Sequence, residues 1–377
     1  MRFIHVSDTH LGCEIPIEFR DIRKEDFVNA FKQIVNFAIK ERVDFIIHSG
    51  DFFDDYFRIS SGILEDIIDS LIKLKERNIP IILIKGNHDV KGHRQKMINI
   101  LSKLDLVRVA SSREAVEANG VYIYGISEPA NVGGEELRSL YKNILPKIKI
   151  EKDGYAIFIF HGAPDILVRD SFDPRVVPVS VLPKNIDYYA FGHFHFNNLY
   201  KENNKIFALP GSTERTEISR REEKSKKGFY IINDGEVEFK PIKTRNIAII
   251  ERVIKDEKDV QDIIKYITSK SRGSIIKLKI RYKRELYEHI KLKIEKLLEM
   301  GYMIIEDLYP EDEDTLDLDT ELEKSVLEDI MDRLLFPNKE EVIKMFHKIR
   351  EIMEDVYSGK QNDIEKIRDI LRRKLIK

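Results

Sequence analysis

Two histidines stand one residue apart, straight after a glycine, in the stretch AFGHFH at residues 190–195. In an extended chain residues i and i+2 point to the same side, so His193 and His195 can reach one small object together. Residues of the same chemistry close other apolar runs. FIHVS is followed by Asp8 and His10, DFIIHSG by Asp51, IILIKG by Asn87 and His88, and IFIF by His161. Eight of the ten histidines lie before residue 196, which concentrates this chemistry in the first 195 residues. Imidazole, carboxylate and amide oxygen without thiolate suit manganese, iron or zinc better than calcium or a structural zinc. With His88 set aside, seven such donors are too many for one ion and right for two that share a bridge. Two ions about 3.5–4 Å apart clamp phosphate oxygens and lower the pKa of a bound water, which is a recurring solution for phosphoester hydrolysis.

Side chains so far apart in sequence act together only if the runs before them are neighbouring strands. The first 110 residues alternate strand and helix. RFIHVS, VDFIIHSG and IPIILIKG read as strands. Residues 25–41 carry Phe27, Phe31, Ile34, Val35 and Ala38 at helical spacing, and GILEDIIDSLIKLKERN reads as a second helix. Continuous Ile, Val and Leu runs between helices point to strands buried on both faces of a parallel or mixed sheet. Ligands of open α/β sheets bind outside the carboxyl ends of the strands, where these donors stand. From about residue 121 strands dominate, from VYIYGIS to EVEFKPI. Around residue 245 the pattern resets to a βαβαβ order, NIAIIERVI to YMIIEDL. An acidic stretch, YPEDEDTLDLD, then leads into helices only. Their capping pairs are Thr320 with Glu323, Asn338 with Glu341 and Asn362 with Glu365. Three parts are expected: 1–245, 246–309 and 310–377.

Composition sets outer bounds. With 377 residues, 42% hydrophobic and 34% charged, the chain can bury a core and stay in solution. No apolar run approaches the ~20 residues of a membrane span, so no membrane association is expected. MRFIHVSDTH reads as a strand rather than a signal peptide, and the single Cys13 rules out an internal disulfide framework. Both fit a cytoplasmic protein. A net charge of −2 lacks the overall basic excess of many nucleic-acid binders, but local patches matter more than the sum.

The ordered set DTH, GDFFDD, GNHD, a lone histidine and GHFH resembles the calcineurin-like metallophosphoesterase superfamily. Within it, SDTHLG, HSGDFF, KGNHD and PGSTER followed by KGFYII are similar to the DNA double-strand-break repair nucleases. These are called meiotic recombination eleven in eukaryotes and archaea and SbcD in bacteria, and an archaeal member is expected. The likeness covers residues 1 to about 245 well and the remainder only in architecture. It implies an α/β fold of mixed sheets flanked by helices, a small α/β capping domain at 246–309 and C-terminal helices. It implies two manganese ions per subunit, with magnesium, iron or zinc still open. The first ion would be held by Asp8, His10, Asp51 and His195. The second would be held by Asp51, Asn87, His161 and His193, with Asp51 bridging. His88 matches the family's catalytic histidine, which stabilises the transition state or protonates the leaving 3′ oxygen. The family's frequent GDLFH ends in a histidine that contributes to exonuclease activity. Asp54 takes that position here, which puts the balance of exonuclease and endonuclease activity in question.

Basic side chains flank these motifs. Arg215, Arg220, Arg221, Lys224, Lys226 and Lys227 follow the paired histidines, and Lys91, His93, Arg94 and Lys96 follow GNHD. Such loops beside a two-metal site are expected to hold DNA phosphates. The resemblance further implies a homodimer acting on DNA ends with an SMC-like ABC ATPase of the Rad-fifty or SbcC type, gripped by the terminal helices. Two other functions stay open: a superfamily enzyme for small phosphodiesters, and a scaffold that tethers DNA ends.

Overall fold

A computed structural model describes residues 1–54, 60–90, 94–168 and 173–311. The helices expected over 310–377 and the side chain of Arg94 lie outside the described residues, as do Lys91 and His93. In chain order the first sheet receives β1 (Arg2–Val6), β2 (Phe45–His48), β3 (Ile81–Leu83) and β4 (Arg108–Val109). Between them run α1 (Arg20–Glu41), α2 (Ser61–Glu76) and α3 (Arg94–Lys103). The second sheet receives β5 (Val116–Ala118), β6 (Val121–Ile126), β7 (Tyr155–Phe160), β10 (Tyr188–Phe191), β11 (Asn198–Glu202) and β12 (Lys205–Leu209). Helix α4 (Gly134–Ile144) and a two-stranded pair, β8 (Ala163–Pro164) and β9 (Val176–Val177), are set into it. After the short α5 (Arg220–Lys224) the chain returns to the first sheet as β13 (Gly228–Asn233) and β14 (Glu236–Pro241).

The first sheet has the order β14-β13-β1-β2-β3-β4 and the second β11-β12-β10-β7-β6-β5. The first sheet is parallel from β1 through β4 and antiparallel from β1 through β13 to β14, while the second is parallel at its centre and antiparallel at both edges. Alternate residues along each central strand serve different cores. Phe3, Phe45, Ile47, Ile157, Ile159, Tyr188 and Ala190 meet between the two sheets. Ile4, Val6 and Ile46 pack under α1 and α2 against Phe31, Val35 and Leu71, while Phe158, Phe160 and Phe191 pack against Leu137 and Tyr141 of α4. Burial on both faces is why these strands read as unbroken apolar runs. Helix α4 interrupts the stretch in which strands were expected to dominate. Gly133 precedes its first turn, and it buries Leu137 and Tyr141, which stand at helical spacing with Leu140 and Ile144.

Beyond residue 245 come β15 (Ile247–Ile254), α6 (Glu257–Thr268), β16 (Ile275–Tyr282), α7 (Tyr287–Glu299) and β17 (Met303–Pro310), with the sheet order β15-β16-β17. Two compact units divide the described chain. One holds Met1–Ile250, Ile263–Leu278 and Leu292–Glu306; the other holds Glu251–Asp262, Lys279–Lys291 and the described residues from Asp307. Within the first, Ile247, Ile275 and Met303 pack with Phe19 and Ile218. Among the described residues no helix is long and apolar enough to cross a membrane.

Candidate metal centre

The carboxyl ends of β1, β2, β3, β7 and β10 bring Asp8, His10, Asp51, Asn87, His161, His193 and His195 to one rim. The loops that carry them are conformationally costly. Asp8 (φ 52°), His10 (φ 41°), Asp51 (φ 54°) and His193 (φ 78°) all have left-handed backbone. That region costs a residue with a side chain roughly 1–2 kcal/mol and persists where surrounding structure enforces it. Glycines allow the close packing: a Cβ on Gly86 would overlap Asp51 Oδ1, and one on Gly192 would overlap the Ser49 carbonyl. Buried Asp89 ties the loops together, accepting from the backbone N–H of Phe52 (3.1 Å), Phe53 (2.9 Å) and Gly86 (2.9 Å).

Donor atoms converge in two overlapping groups. In the first, His10 Nε2 lies 3.2 Å from His195 Nε2, 3.9 Å from Asp8 Oδ1 and 3.8 Å from Asp51 Oδ2. In the second, Asn87 Oδ1 lies 3.0 Å from His161 Nε2 and 3.1 Å from His193 Nδ1, and Asp51 Oδ2 lies 3.2 Å from His161 Nε2. Asp51 therefore belongs to both. The other ring nitrogen of each histidine meets an acceptor on the outside. His10 Nδ1 faces Asp54 Oδ1 (3.3 Å), His161 Nδ1 faces the Ser49 carbonyl (2.7 Å), His193 Nε2 faces Asp173 Oδ2 (2.8 Å) and His195 Nδ1 faces Thr216 Oγ1 (2.7 Å). A ring N–H donated outward leaves a lone pair pointing inward, the tautomer a metal requires. Lone pairs of His10 and His195 then oppose each other at 3.2 Å, and those of His161 and His193 oppose the Asn87 oxygen. A positive charge there, a proton on one ring or a metal ion between them, makes such contacts favourable, and the residues present fit divalent metal ions.

The electrostatics show the same demand for positive charge. Burial disfavours charged His10, but Asp54, Asp51 and Asp8 outweigh it and raise its pKa to about 9. At His161 burial is likewise outweighed, by Asp51 and Asp8, and the pKa rises to about 10. His195 goes the other way, held neutral by burial and by neighbouring His10 and Lys227. Burial and Asp51 raise the Asp8 carboxyl, while His161, His88 and His10 overcome burial at Asp51 and hold it well below the usual range.

His88 stands beside the first group. A ring nitrogen of His88 lies within 4.8 Å of ligand atoms of His10 and Asp51, and its ring meets that of His10 edge-on at 4.8 Å. Its backbone N–H donates to Asp51 Oδ1 (2.8 Å), and its Nδ1 lies 2.7 Å from Asp54 Oδ1. Asp54 thus joins His10 to His88. Asp173, Thr216, Ser49 and this use of Asp54 did not emerge from the sequence. Thr216 adjoins PGSTER, whose residues fix it: Arg215 N donates to Glu214 Oε1 (2.8 Å), and Ser212 Oγ donates to the Glu214 carbonyl (2.9 Å).

Two of the expected DNA contacts are corrected. Arg215 is buried and its guanidinium is consumed by the carbonyls of Glu222 (3.0 Å) and Arg245 (2.9 Å) and by the Thr244 hydroxyl. Lys227 is buried too, donating to the His195 carbonyl (3.0 Å) and Ser212 Oγ (2.7 Å) and pairing with Glu222 at 2.7 Å. Their charge braces the loop that carries His195. Arg220, Arg221, Lys224 and Lys226 are exposed, and Arg220 pairs with Glu223 at 3.3 Å.

The model of the calcineurin-like phosphoesterase family matches residues 1–197, more than half of the chain. The DNA double-strand break repair protein Mre11 of Sulfurisphaera tokodaii is 31% identical over 288 residues, covering 74% of this chain and 69% of that one. The chain belongs to the calcineurin-like phosphoesterase family, in its Mre11 branch. The Mre11 of Saccharolobus solfataricus is 33% identical over 256 residues, with 66% of this chain and 64% of the relative covered. That of Methanocaldococcus jannaschii is 26% identical over 343 residues and covers 88% and 90%. The match spans less than two thirds of the Saccharolobus relative and of the Archaeoglobus fulgidus one, where it covers 62%. Membership in this family carries a divalent-metal phosphoesterase fold, into which the cluster at the strand ends fits.

Proposed function

We propose that the chain is a manganese-dependent DNA nuclease that processes ends in double-strand-break repair, with exonuclease and endonuclease activity from a two-metal site. The observation that carries this reading is the orientation of the four histidines. Each spends one nitrogen on an outer acceptor and turns the other toward Asp8, Asp51 and Asn87. Asp8, His10, Asp51 and His195 would hold one ion, and Asp51, Asn87, His161 and His193 the other. What bound ions supply is hydroxide from water near neutral pH and neutralisation of phosphate charge. The protein's own part is to hold and direct. The backbone N–H of His193 donates to the Asp8 carboxylate (3.1 Å) and fixes its oxygens. Asp54 holds Nδ1 of His88 and leaves Nε2 as the nitrogen that can pass a proton to the leaving oxygen. Arg220, Arg221 and Lys224 are the exposed cations suited to DNA phosphates.

The Mre11 relatives support the reading of substrate and setting. We read residues 1–245 as the catalytic domain, 246–309 as a cap that positions DNA, and 310–377 as the segment that binds the coiled-coil base of an SMC-like ABC ATPase. A homodimer in the cytoplasm, associated with the nucleoid, completes the reading. The test compares manganese-dependent turnover of bis-p-nitrophenyl phosphate with cleavage of linear and hairpin DNA. Preference for DNA supports the nuclease. Turnover of the small diester alone would leave an enzyme for small phosphodiesters, and turnover of neither a tethering scaffold.

A further inference from the structure

The loop that carries His193 and His195 also carries Phe194 and Phe196, which face away from the donor cluster. Both rings pack partly on the core of the second sheet and remain partly exposed. Phe194 meets the His193 ring edge-on at 4.9 Å, and the Phe194 and Phe196 centroids are 6.2 Å apart. Arg221 reaches over from α5 and sets its guanidinium 4.6 Å from the centre of the Phe196 ring. Among the described residues Arg221 has no carboxylate partner, unlike neighbouring Arg220. An exposed arginine is free to extend into water, but this one lies on an aromatic ring beside the donor cluster. A guanidinium so placed keeps its outer plane and its N–H groups available. Flat cations and aromatic rings stack on nucleobases, which tolerate any sequence because every base has a π-face.

We propose that Phe196 and Arg221 form a stacking platform for an unpaired base of the nucleic-acid strand whose phosphate lies at the donor cluster. This deepens the nuclease reading and rests on it. A base can reach the platform only if it has left its duplex, so the platform favours single-stranded ends and opened hairpins over blunt duplex. The charge of Arg221 alone would serve any phosphate; the ring beneath it distinguishes base stacking from that simpler role.

The test uses the full chain and oligonucleotides with an uncleavable linkage. Each nucleotide around that linkage is replaced in turn by an abasic one, and affinity is measured by fluorescence anisotropy. One position near the linkage is expected to lose about tenfold in affinity for the unaltered protein. That penalty should vanish in Arg221→Lys, which keeps the charge and loses the plane, and in Phe196→Leu. If Phe196→Leu does not fold, Arg221→Lys decides alone. A flat abasic scan, or an equal penalty in the unaltered protein and Arg221→Lys, would overturn the platform while leaving the nuclease reading standing. Failure to bind or cut any oligonucleotide would remove both.

Discussion

Asp54 Oδ1 lies 2.7 Å from Nδ1 of His88 and 3.3 Å from Nδ1 of His10. One carboxylate thus orients a residue of the donor cluster and the histidine beside it. The family's frequent histidine at this position could not accept from both rings at once. With an acceptor here, both imidazoles are fixed with their Nε2 atoms directed away from Asp54. Loss of such an outer partner typically costs 10- to 100-fold in metal affinity or activity. Asp54→Ala is therefore expected to lower DNA cleavage by about that factor, with Asp54→Asn, which keeps one acceptor oxygen, in between. Cleavage rates at saturating manganese check this. Full activity in Asp54→Ala would mean that the carboxylate orients nothing the reaction needs.

His88→Ser separates catalysis from metal binding. It is expected to retain both ions and lose roughly 10²-fold or more in rate, the usual worth of a general acid. Calorimetric metal titration alongside kinetics reads both quantities. Loss of one ion from this variant would make His88 a ligand instead, which its distance of at most 4.8 Å from the His10 and Asp51 donor atoms permits.

Protons and metal ions compete for the centre. In the protein without metal, the pKa values of His10 and His161, about 9 and about 10, lie above the ordinary value of 6.5. The stability these protons add is fully present below pH ~6.5 and is lost as pH rises through that raised range. A bound cation must displace them, so metal affinity climbs over the same window. The rise in melting temperature on adding manganese is expected to be larger at about pH 8.5 than at about pH 6. An equal rise at both would show that the two histidines carry no extra proton affinity.

Lys227 offers a test of what the basic loop does. Its ion pair with Glu222 has side-chain exposures of 0% and 3%, and breaking such a pair leaves a buried charge unmatched. Lys227→Met is expected to cost about 3–5 kcal/mol in chemical denaturation. The salt dependence of DNA binding should stay as it was. Lys224→Ala, on the exposed side of the same loop, should leave stability alone and reduce the salt slope by about 0.9. Exchange of these two outcomes would return Lys227 to the DNA surface.

The donors were legible in the sequence because each follows a run that only a buried strand can use. Apolar residues on both sides of β1, β2, β7 and β10 fixed where the strands end, and the chemistry stands at those ends. What was hidden lies off that pattern. Asp173 supports His193 from just ahead of β9, and Thr216 supports His195 from the irregular stretch between β12 and α5; neither has a periodicity to mark it. Arg215 and Lys227 looked like surface cations because sequence shows charge and not enclosure. Their partners, Glu222 and the carbonyls of Glu222 and Arg245, come together only when α5 folds against the loop after β12. Helix α4 lay hidden between the strong strand runs VYIYGIS and YAIFIFHG, although Leu137, Leu140, Tyr141 and Ile144 stand at helical spacing.

The account stands or falls on whether the inward-facing nitrogens and oxygens hold two ions. Crystals of the full chain grown with manganese, measured at the manganese absorption edge, test this most directly. Two anomalous peaks are expected, about 3.5–4 Å apart. One should lie among Asp8, His10, Asp51 and His195, and the other among Asp51, Asn87, His161 and His193. A single peak, or peaks that leave Asp51 outside both coordination spheres, would contradict the two-metal centre.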